Sequence, residues 1–339
     1  MKRKGYLFEK LYSFENLYAA FKKAFKGSGR TEGACRFHFH LERELLKLKE
    51  ELKTNTYFPA KYRYFKTFDP KERTISVAPF RDRVVHHAVV RVLEPIFEPT
   101  FIFDSYATRK EKGTHRAVKR AQKYLKRGFY YFKADVLKYF DSVDHDTLLD
   151  LVRRKIKDQR VLELVERIIR NSDVSRGLAR GRGLPIGNLT SQFFANVYLD
   201  PLDHLIKDQM GIKCYVRYMD DMVLFSDSKG YLKNVLREVR LFLDDQLKLT
   251  LNPRATFLNS RLNGLPFLGF RIFPNVIRVK RENLKRVKSK LKERKKEFHA
   301  GLITEERFVM SVRSMFDHLN FADSFTLRNS VLVPRAGVG

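Results

Sequence analysis

Apolar positions at helical spacing open the chain. Phe14, Leu17, Tyr18, Phe21 and Phe25 share one face and predict a first amphipathic helix; Leu41, Leu45, Leu46, Leu48 and Leu52 predict a second over about 38–53. From Tyr57 to Val77 the pattern changes to aromatic and β-branched residues interrupted by Pro59 and Pro70, which predicts short strands and turns. Asp82 is placed to cap a helix through Val84, Val85, Ala88, Val89, Val92 and Leu93 that stops near Pro95, and Gly113-Thr114 opens another through Ala117, Val118, Ala121 and Leu125. At Phe129-Tyr-Tyr-Phe132 and Ala134 the composition is that of a buried strand. Helices over about 145–155 and 160–170 follow, then a loop marked by Gly177, Gly181, Gly183 and Pro185, then a long helix from Thr190 to about Gln209. Residues 213–219 and 222–226 read as a β-hairpin with Asp220-Asp221 at its tip. A helix over about 230–246, short strands near 249–251, 265–268 and 270–273, and a basic helix from Arg278 to Lys296 complete the pattern. Strands flanked by helices without a βαβ repeat give an α+β fold class.

Charge narrows the function. Among 339 residues, 68 Lys+Arg face 39 Asp+Glu, a formal net charge of +29, which points to a polyanionic partner, most often nucleic acid. A ribosome-associated or membrane-surface protein is the blander reading of the same charge. The length suits two or three lobes of roughly 100–150 residues. With 29 Phe and 15 Tyr the chain can bury a core, which excludes wholesale disorder, and 17 Gly with 11 Pro exclude collagen-like and low-complexity classes. The two cysteines, Cys35 and Cys214, form no disulfide framework and suit a reducing compartment. Cys35, His38 and His40 lack the partner pair of a zinc site and read as structural. No apolar core of a signal peptide and no run of about 18 apolar residues is present, so no membrane partner is expected. Asn188-Leu-Thr190 fits a glycosylation sequon by chance, and Leu332-Val-Pro-Arg335 looks like the protease site of a tag.

Three acids stand in settings that call for a partner. Asp135 ends the apolar strand Tyr130–Ala134, and Asp220 and Asp221 lie between Tyr215-Val-Arg-Tyr-Met219 and Met222-Val-Leu-Phe225. Carboxylates embedded in apolar strands are costly unless they bind a cation or a partner, and hard oxygen ligands suit Mg²⁺. An isolated Asp-Asp is more often an ordinary turn pair. Here the strand ending in Asp135 and the charge of +29 outweigh that reading. Of the pair, Asp220 is the less certain ligand, because adjacent side chains on a strand point oppositely.

Tyr218-Met-Asp-Asp221 matches the YxDD box of reverse transcriptases, and Asp135-Val-Leu-Lys-Tyr-Phe-Asp-Ser-Val-Asp-His145 resembles their first palm motif. Arg81-Asp-Arg-Val-Val-His-His-Ala88, Leu93-Glu-Pro-Ile-Phe97 and Phe103-Asp-Ser-Tyr-Ala-Thr-Arg109 resemble fingers motifs of bacterial members, and Leu265-Pro-Phe-Leu-Gly-Phe270 looks like the primer-grip hairpin. The blocks follow the family's order from about 55 to 275. The resemblance implies a right-hand polymerase with helical and β fingers, an antiparallel-sheet palm and a helical basic thumb. Its divisions are an N-terminal extension with fingers over 1–128, a palm over 129–275 with a fingers insertion at about 145–182, a thumb over 276–330 and a tail over 331–339. It implies catalysis by Asp135, Asp220 and Asp221, with Asp135, Val136, Asp220 and Asp221 holding two Mg²⁺ ions, for which Mn²⁺ is a possible substitute. No RNase H, nuclease or large maturase domain is expected after about 330.

Gly183-Leu-Pro-Ile-Gly-Asn-Leu-Thr-Ser-Gln192 departs from the Gln-Gly…Ser-Pro pattern of many reverse transcriptases. In having Ile186, Gly187, Ser191 and Gln192 there, it is similar to enzymes of diversity-generating retroelements. That likeness implies copying of a template-repeat RNA into cDNA with errors at adenine, dNTP substrates, a small basic accessory protein as partner, and a cytoplasmic location in a bacterial host. Gly187 can bring backbone close to a nucleotide, and Ser191 and Gln192 offer hydrogen bonds at a helix start. Phe140 falls where the family puts a ring beneath the incoming sugar, against a 2′-hydroxyl; otherwise it is a core residue. Arg73, Arg81 and Arg109 are candidates for triphosphate or template contacts. Arg254 sits where relatives often have Lys, and reads as surface charge. The segment 278–296, with 11 Lys/Arg and two Glu, resembles a thumb, and Ser105–Arg127, with nine Lys/Arg and one Glu, is a second basic stretch. Both suit a nucleic-acid backbone. Alternatives are a retron or group II intron type enzyme, an RNA-dependent RNA polymerase, which Phe140 disfavours, and a non-catalytic RNA-binding scaffold, which intact Asp135, Asp220 and Asp221 disfavour.

Overall fold

The computed structural model describes residues 3–29, 31–68, 72–171 and 179–325. Gly177 and the tail from 326 lie outside the described residues. Four helices come first: α1 (Phe8–Tyr12), α2 (Phe14–Phe25), α3 (Glu32–Phe39) and α4 (Leu41–Lys53). The Ser13 side chain caps α2 by accepting from the Asn16 N–H, and Leu17 and Phe21 are buried on its inner face. The hairpin β1 (Arg63–Thr67) and β2 (Arg73–Val77) follows, then α5 (Phe80–Phe97), α6 (Thr114–Arg127) and β3 (Tyr130–Ala134). Next come α7 (Tyr139–Ser142), α8 (His145–Arg153), α9 (Gln159–Arg170) and α10 (Leu189–His204), which continues as a π-helical turn, Leu205–Gln209. The hairpin β4 (Tyr215–Tyr218) and β5 (Asp221–Ser226) leads to α11 (Lys229–Leu247), β6 (Phe257–Ser260), β7 (Leu265–Phe267), β8 (Phe270–Ile272) and β9 (Ile277–Val279). The helices α12 (Arg281–His299) and α13 (Glu305–Asn320) pack on each other. No described helix is long and apolar enough to cross a membrane.

The central sheet has the order β4-β5-β3-β6 with every pair antiparallel. Both of its faces are covered, which is why β3 and β5 read as continuous apolar runs. Phe132, Ala134, Met222 and Leu224 point into the large core shared with α10 and α11. Tyr131, Val223 and Phe225, alternating with them, point into a second core built with α6 and the sheet β7-β8-β9.

Several boundaries differ from the sequence reading, each for a packing reason. The helix α5 starts at Phe80 behind Pro79 and runs through Pro95 to Phe97, whose buried ring meets Phe193 edge-on at 5.5 Å. Asp82 does not cap it. Its carboxylate is buried, accepting from the Tyr57 hydroxyl at 2.8 Å and the Ala60 N–H at 2.9 Å. The helix α10 begins at Leu189 behind Asn188, one residue before Thr190. Residues 249–251 supply an isolated bridge between Leu251 and Val136, not a strand. The strands β6 and β9 had no alternating signature, and β9 makes the basic helix begin at Arg281.

One buried ion pair ties the β4–β5 hairpin to α10. Arg217 on β4 and Asp203 on α10 are both fully buried; Nε donates to Oδ1 at 2.7 Å and Nη2 to Oδ2 at 2.5 Å. Arg217 Nη1 also donates to Asn196 Oδ1 at 3.1 Å and to the Met219 carbonyl at 3.0 Å, inside the turn that carries Asp220. Removing one partner leaves an uncompensated charge, so Arg217→Met or Asp203→Leu should each lower unfolding free energy by about 3–5 kcal/mol. Urea denaturation of both single variants and of the double variant checks this. The double variant should regain most of the loss, and additive losses would rule out the pair as the cause.

Candidate functional site

The acids meet where β3 and the β4–β5 hairpin end together. Ala134 pairs with Met222 in register, so Asp135 leaves β3 beside the hairpin tip. Tyr218 pairs with Asp221, leaving Met219 and Asp220 as a two-residue turn. Met219 has a φ of 57°, a left-handed conformation that costs a side-chain-bearing residue energy and is held here by the Arg217 bond to its carbonyl. The Asp220 carboxyl shares a hydrogen bond with Asp135. Burial first, and the Asp135 charge second, push its pKa up to about 7.

Asp221 faces elsewhere. Alternation puts it on the same side of β5 as Val223 and Phe225, where Lys133 Nζ lies 2.6 Å from its Oδ1. Burial raises its pKa to about 6 against the lowering effect of Lys133. The geometry thus joins Asp220, the acid ranked second from sequence, directly to Asp135, while Asp221 is held by a lysine. Among the described residues no three His, Cys, Asp or Glu side chains stand close enough to hold a metal ion as they are. The donor set nevertheless fits a hard divalent cation: a carboxyl pair sharing one hydrogen bond holds a proton, which a cation could displace. Val136 is buried beside the pair and bridged to Leu251.

Residues 184–188 link α7 to the β1–β2 hairpin. Phe140, half-buried on α7, accepts through its carbonyl from the Leu184 N–H at 2.6 Å. Ile186 then accepts from the Ser76 N–H on β2 at 2.8 Å, and Asn188 Nδ2 donates to the Ser76 carbonyl at 3.3 Å. Gly187 has a φ of 110°, and a Cβ there would stand 2.9 Å from Ile75 Cγ2 and 3.2 Å from the Ser76 carbonyl oxygen. Both the conformation and the close approach require glycine. Gln192 lines the groove between this loop, β2 and α5, whereas Ser191 is buried in α10.

The arginines separate. Arg73 is exposed at the first position of β2, opposite Thr67, where the chain passes from β1 to β2. Arg81 is paired with Glu51 and lies over the Tyr57 ring, 4.9 Å from its centroid. Arg109 is buried, donating to Glu98 Oε1 at 2.8 Å, to the Ile102 carbonyl at 2.6 Å and to the Ser105 carbonyl at 3.0 Å. Arg81 thus joins α5 to α4, and Arg109 joins the loops before α6. Arg254 is exposed. A cavity of about 840 Å³ is lined by Arg271, Arg278, Lys280 and Arg281, with Glu282 and Asp323 among them. Lys280 also acts on Asp221, and burial lowers its own pKa.

Sequence reasoning assigned no role to Arg217, Asp203, Lys133 or Lys280. A charged residue inside an apolar strand, as in Tyr215-Val-Arg-Tyr218 and Tyr130-Tyr-Phe-Lys-Ala134, was the available signal.

An antiparallel sheet covered on both faces, with carboxylates at a hairpin tip and a basic helical segment beyond, is the α+β architecture of a right-hand polymerase. The family model described as reverse transcriptase (RNA-dependent DNA polymerase) matches residues 66–272, more than half of the chain, and the chain belongs to that family. Its enzyme class is RNA-directed DNA polymerase, and reverse transcriptases in general use divalent metal ions. Protein YkfC of Escherichia coli K12 is 29% identical over 270 residues, covering 68% of this chain and 71% of its own. The group II intron-encoded protein LtrA of Lactococcus lactis subsp. cremoris is 24% identical over 320 residues, 75% of this chain but 53% of its own length. Apo telomerase from Candida tropicalis, truncated from its C-terminal domain, shares the fold with a TM-score of 0.51 at 13% identity, over 66% of this chain and 55% of that one. Apo telomerase from the same organism aligns with a TM-score of 0.51 at 13% identity, over 69% and 52%.

The raised carboxyls set a pH dependence. Asp220 near 7 and Asp221 near 6 in the folded state lie above the unfolded value of about 4, so the folded protein binds more protons between these limits. In metal-free buffer, stability should therefore be highest below about pH 4 as far as these groups are concerned, and fall as pH rises through 7, by on the order of 2 kcal/mol after allowing for screening and coupling. Asp220→Asn should flatten that fall. Thermal melts in chelator from pH 4.5 to 8 measure it, and an unchanged slope in the variant would remove the acid contact as its cause.

Proposed function

We propose that the chain makes error-prone, adenine-mutagenic cDNA from a template-repeat RNA, as an RNA-directed DNA polymerase of the diversity-generating retroelement type. The observation that carries the polymerase chemistry is the Asp135–Asp220 carboxyl pair at the end of β3, with Asp221 beside it. On this reading Asp135, Asp220 and the Val136 carbonyl hold two Mg²⁺ ions, or Mn²⁺ in their place, and Asp221 joins them by turning from Lys133. Bound there, the ions supply the positive charge that nucleotidyl transfer needs at the attacking hydroxyl and the leaving pyrophosphate. The chain's own residues hold the reactants. Phe140 sits beneath the sugar and disfavours a 2′-hydroxyl, Arg73 reaches the triphosphate from the hairpin, and the groove of Arg271, Arg278, Lys280 and Arg281 tracks primer phosphates. Residues 1–128 then act as extension and fingers, 129–275 as palm with its insertion at about 145–182, and 276–330 as thumb.

Support for the subtype comes from Ile186, Gly187, Ser191 and Gln192. Ile186 and Gly187 lie against β2, and Gln192 lines the groove beside them; on this reading the three grip the nascent base pair. Ser191 acts from within α10. A pair held less tightly by about 1.4 kcal/mol is tenfold less selective. A small basic accessory protein, dNTPs, template RNA and cDNA complete the proposed partners, in a bacterial cytoplasm.

Primer extension on a defined RNA tests the chemistry. Asp135→Asn should abolish synthesis while leaving RNA binding nearly intact, and Phe140→Ala should raise ribonucleotide incorporation; wild-type rates in the first variant would remove the catalytic assignment. Deep sequencing of the cDNA, made with the accessory protein present, tests the subtype. Misincorporation should concentrate opposite template adenine, and Ile186→Gln with Gln192→Pro should reduce it more than it reduces total synthesis. An error spectrum even over four template bases would overturn the subtype and leave the polymerase.

A further inference from the structure

Lys133 is a cation where the sheet would otherwise take an apolar residue. It stands on β3, an inner strand of the central sheet, in register with Val223 of β5 and Phe257 of β6, and is 8% exposed. Alternation puts its side chain on the face that Tyr131 presents to the second core. An ammonium in such a place needs a partner. Its Nζ lies 2.6 Å from Asp221 Oδ1. The register that pairs Ala134 with Met222, continued by one residue, sets Asp135 across from Asp221. The lysine therefore holds one carboxylate of the acid cluster from two residues before another.

A second lysine stands beside the pair. Lys280 acts on Asp221 from the edge of the basic cavity, and Lys133 repels it. Three carboxyls and two ammonium groups thus influence one another in a single cluster. Two lysines carry the charge of one divalent ion, and Lys133 already touches the carboxylate oxygen that such an ion would take. The two cations compete for that oxygen. A magnesium ion binds oxygen at about 2.1 Å, so with Nζ left in place the ion and the ammonium would meet within a few ångströms, where their repulsion is strong. One of them has to yield Asp221.

We propose that Lys133 is a positioning residue that stands in for a metal ion at Asp221: it holds the carboxylate while the site is unloaded, and a divalent ion gains Asp221 only by displacing it. The inference rests on the reading of Asp135, Asp220 and Asp221 as metal ligands and adds to it the group that sets their affinity. In the unloaded site the ammonium offsets the repulsion between Asp221 and the Asp135–Asp220 pair, so the hairpin tip keeps its shape. The same charge opposes the entering ion. Because β3 fixes the lysine backbone, the ammonium stays near and recovers Asp221 when the ion leaves. Affinity is thereby held below what the carboxylates alone would give, and loading is reversible.

The test is a titration of the full chain with Mn²⁺, free of nucleotide and nucleic acid, followed by the electron paramagnetic resonance of the free ion. Lys133→Met should bind Mn²⁺ roughly tenfold more tightly than the wild type. Its melting temperature should fall in chelator, where Asp221 has lost its cation, and should rise on adding Mn²⁺ by more than that of the wild type. Lys133→Arg keeps a cation and should keep the wild-type affinity. A merely structural lysine would not tighten metal binding when removed, so unchanged or weaker Mn²⁺ binding by Lys133→Met overturns the proposal. Should that variant fail to fold, Lys133→Gln carries the same expectation and the same overturning result. Asp135→Asn separates this inference from the reading beneath it. That substitution should weaken Mn²⁺ binding in the wild type and in Lys133→Met alike. If it weakens binding while Lys133→Met shows no tightening, this inference alone falls; if it leaves binding unchanged in both, the acids are not the metal site and the polymerase reading of the cluster falls with it.

Discussion

The turn that carries Asp220 cannot hold its shape unaided, and the Arg217–Asp203 pair is what holds it. A two-residue turn with a non-glycine residue at positive φ is strained, and it brings Asp220 against Asp135, a second source of unfavourable energy. Arg217 offsets the first by fixing the Met219 carbonyl while anchored on Asp203 and Asn196 of α10. The same arginine joins further parts of the fold: its N–H donates to the Asp104 carbonyl and its carbonyl accepts from the Tyr106 N–H. The loop before α6, the hairpin and α10 therefore share one buried charge, and a shift in any of them moves the acids.

The second constraint is the seam between β2 and the 186–188 turn. Backbone and side-chain bonds to Ser76 tie the two together, and Gly187 lets them approach without a side chain between them. This seam makes the β1–β2 hairpin part of the groove's wall rather than a free arm. The Leu184 bond to Phe140 continues the seam to α7, so the proposed sugar-side ring and the proposed base-side groove belong to one hydrogen-bonded path.

What could be read in the chain followed the density of local signal. The strand ending in Asp135, the acidic hairpin, the helix after Gly113 and the basic helix all carried strong periodicity or composition, and the structure contains each of them. The strands β6 and β9 are three or four residues long and take their conformation from pairing with β3 and β8, which no local pattern announces. Asp82 and Pro95 misled for one reason: tertiary contacts outweighed local rules, through the Tyr57 hydroxyl in the first case and the Phe97–Phe193 packing in the second. The acids were legible, their pairing was not. Alternation along β5 was the right principle, but the turn lifts Asp220 out of that alternation, so it meets Asp135 while Asp221 follows the strand to Lys133. The partners of Arg81 and Arg109 were likewise not legible, since an arginine in a motif gives no sign that Glu51 or loop carbonyls will face it.

Charge in this molecule is divided by distance from the acids. The net +29 attracts a nucleic-acid backbone from any direction, yet a polyanion drawn toward paired carboxylates meets repulsion at the point where chemistry must occur. Lys133 and Lys280 lie between these two regimes, one in contact with Asp221 and the other acting on it from the edge of the basic cavity. Lys133 is nearly buried and takes its position from β3, so it cannot follow the backbone outward. Lys280, at the junction of β9 and α12, belongs to both the acids and the groove of arginines. The strand β9, which sequence reasoning did not find, thus fixes where the basic surface stops and the acidic site begins, because it sets the first residue of α12 and aims Lys280 at the hairpin.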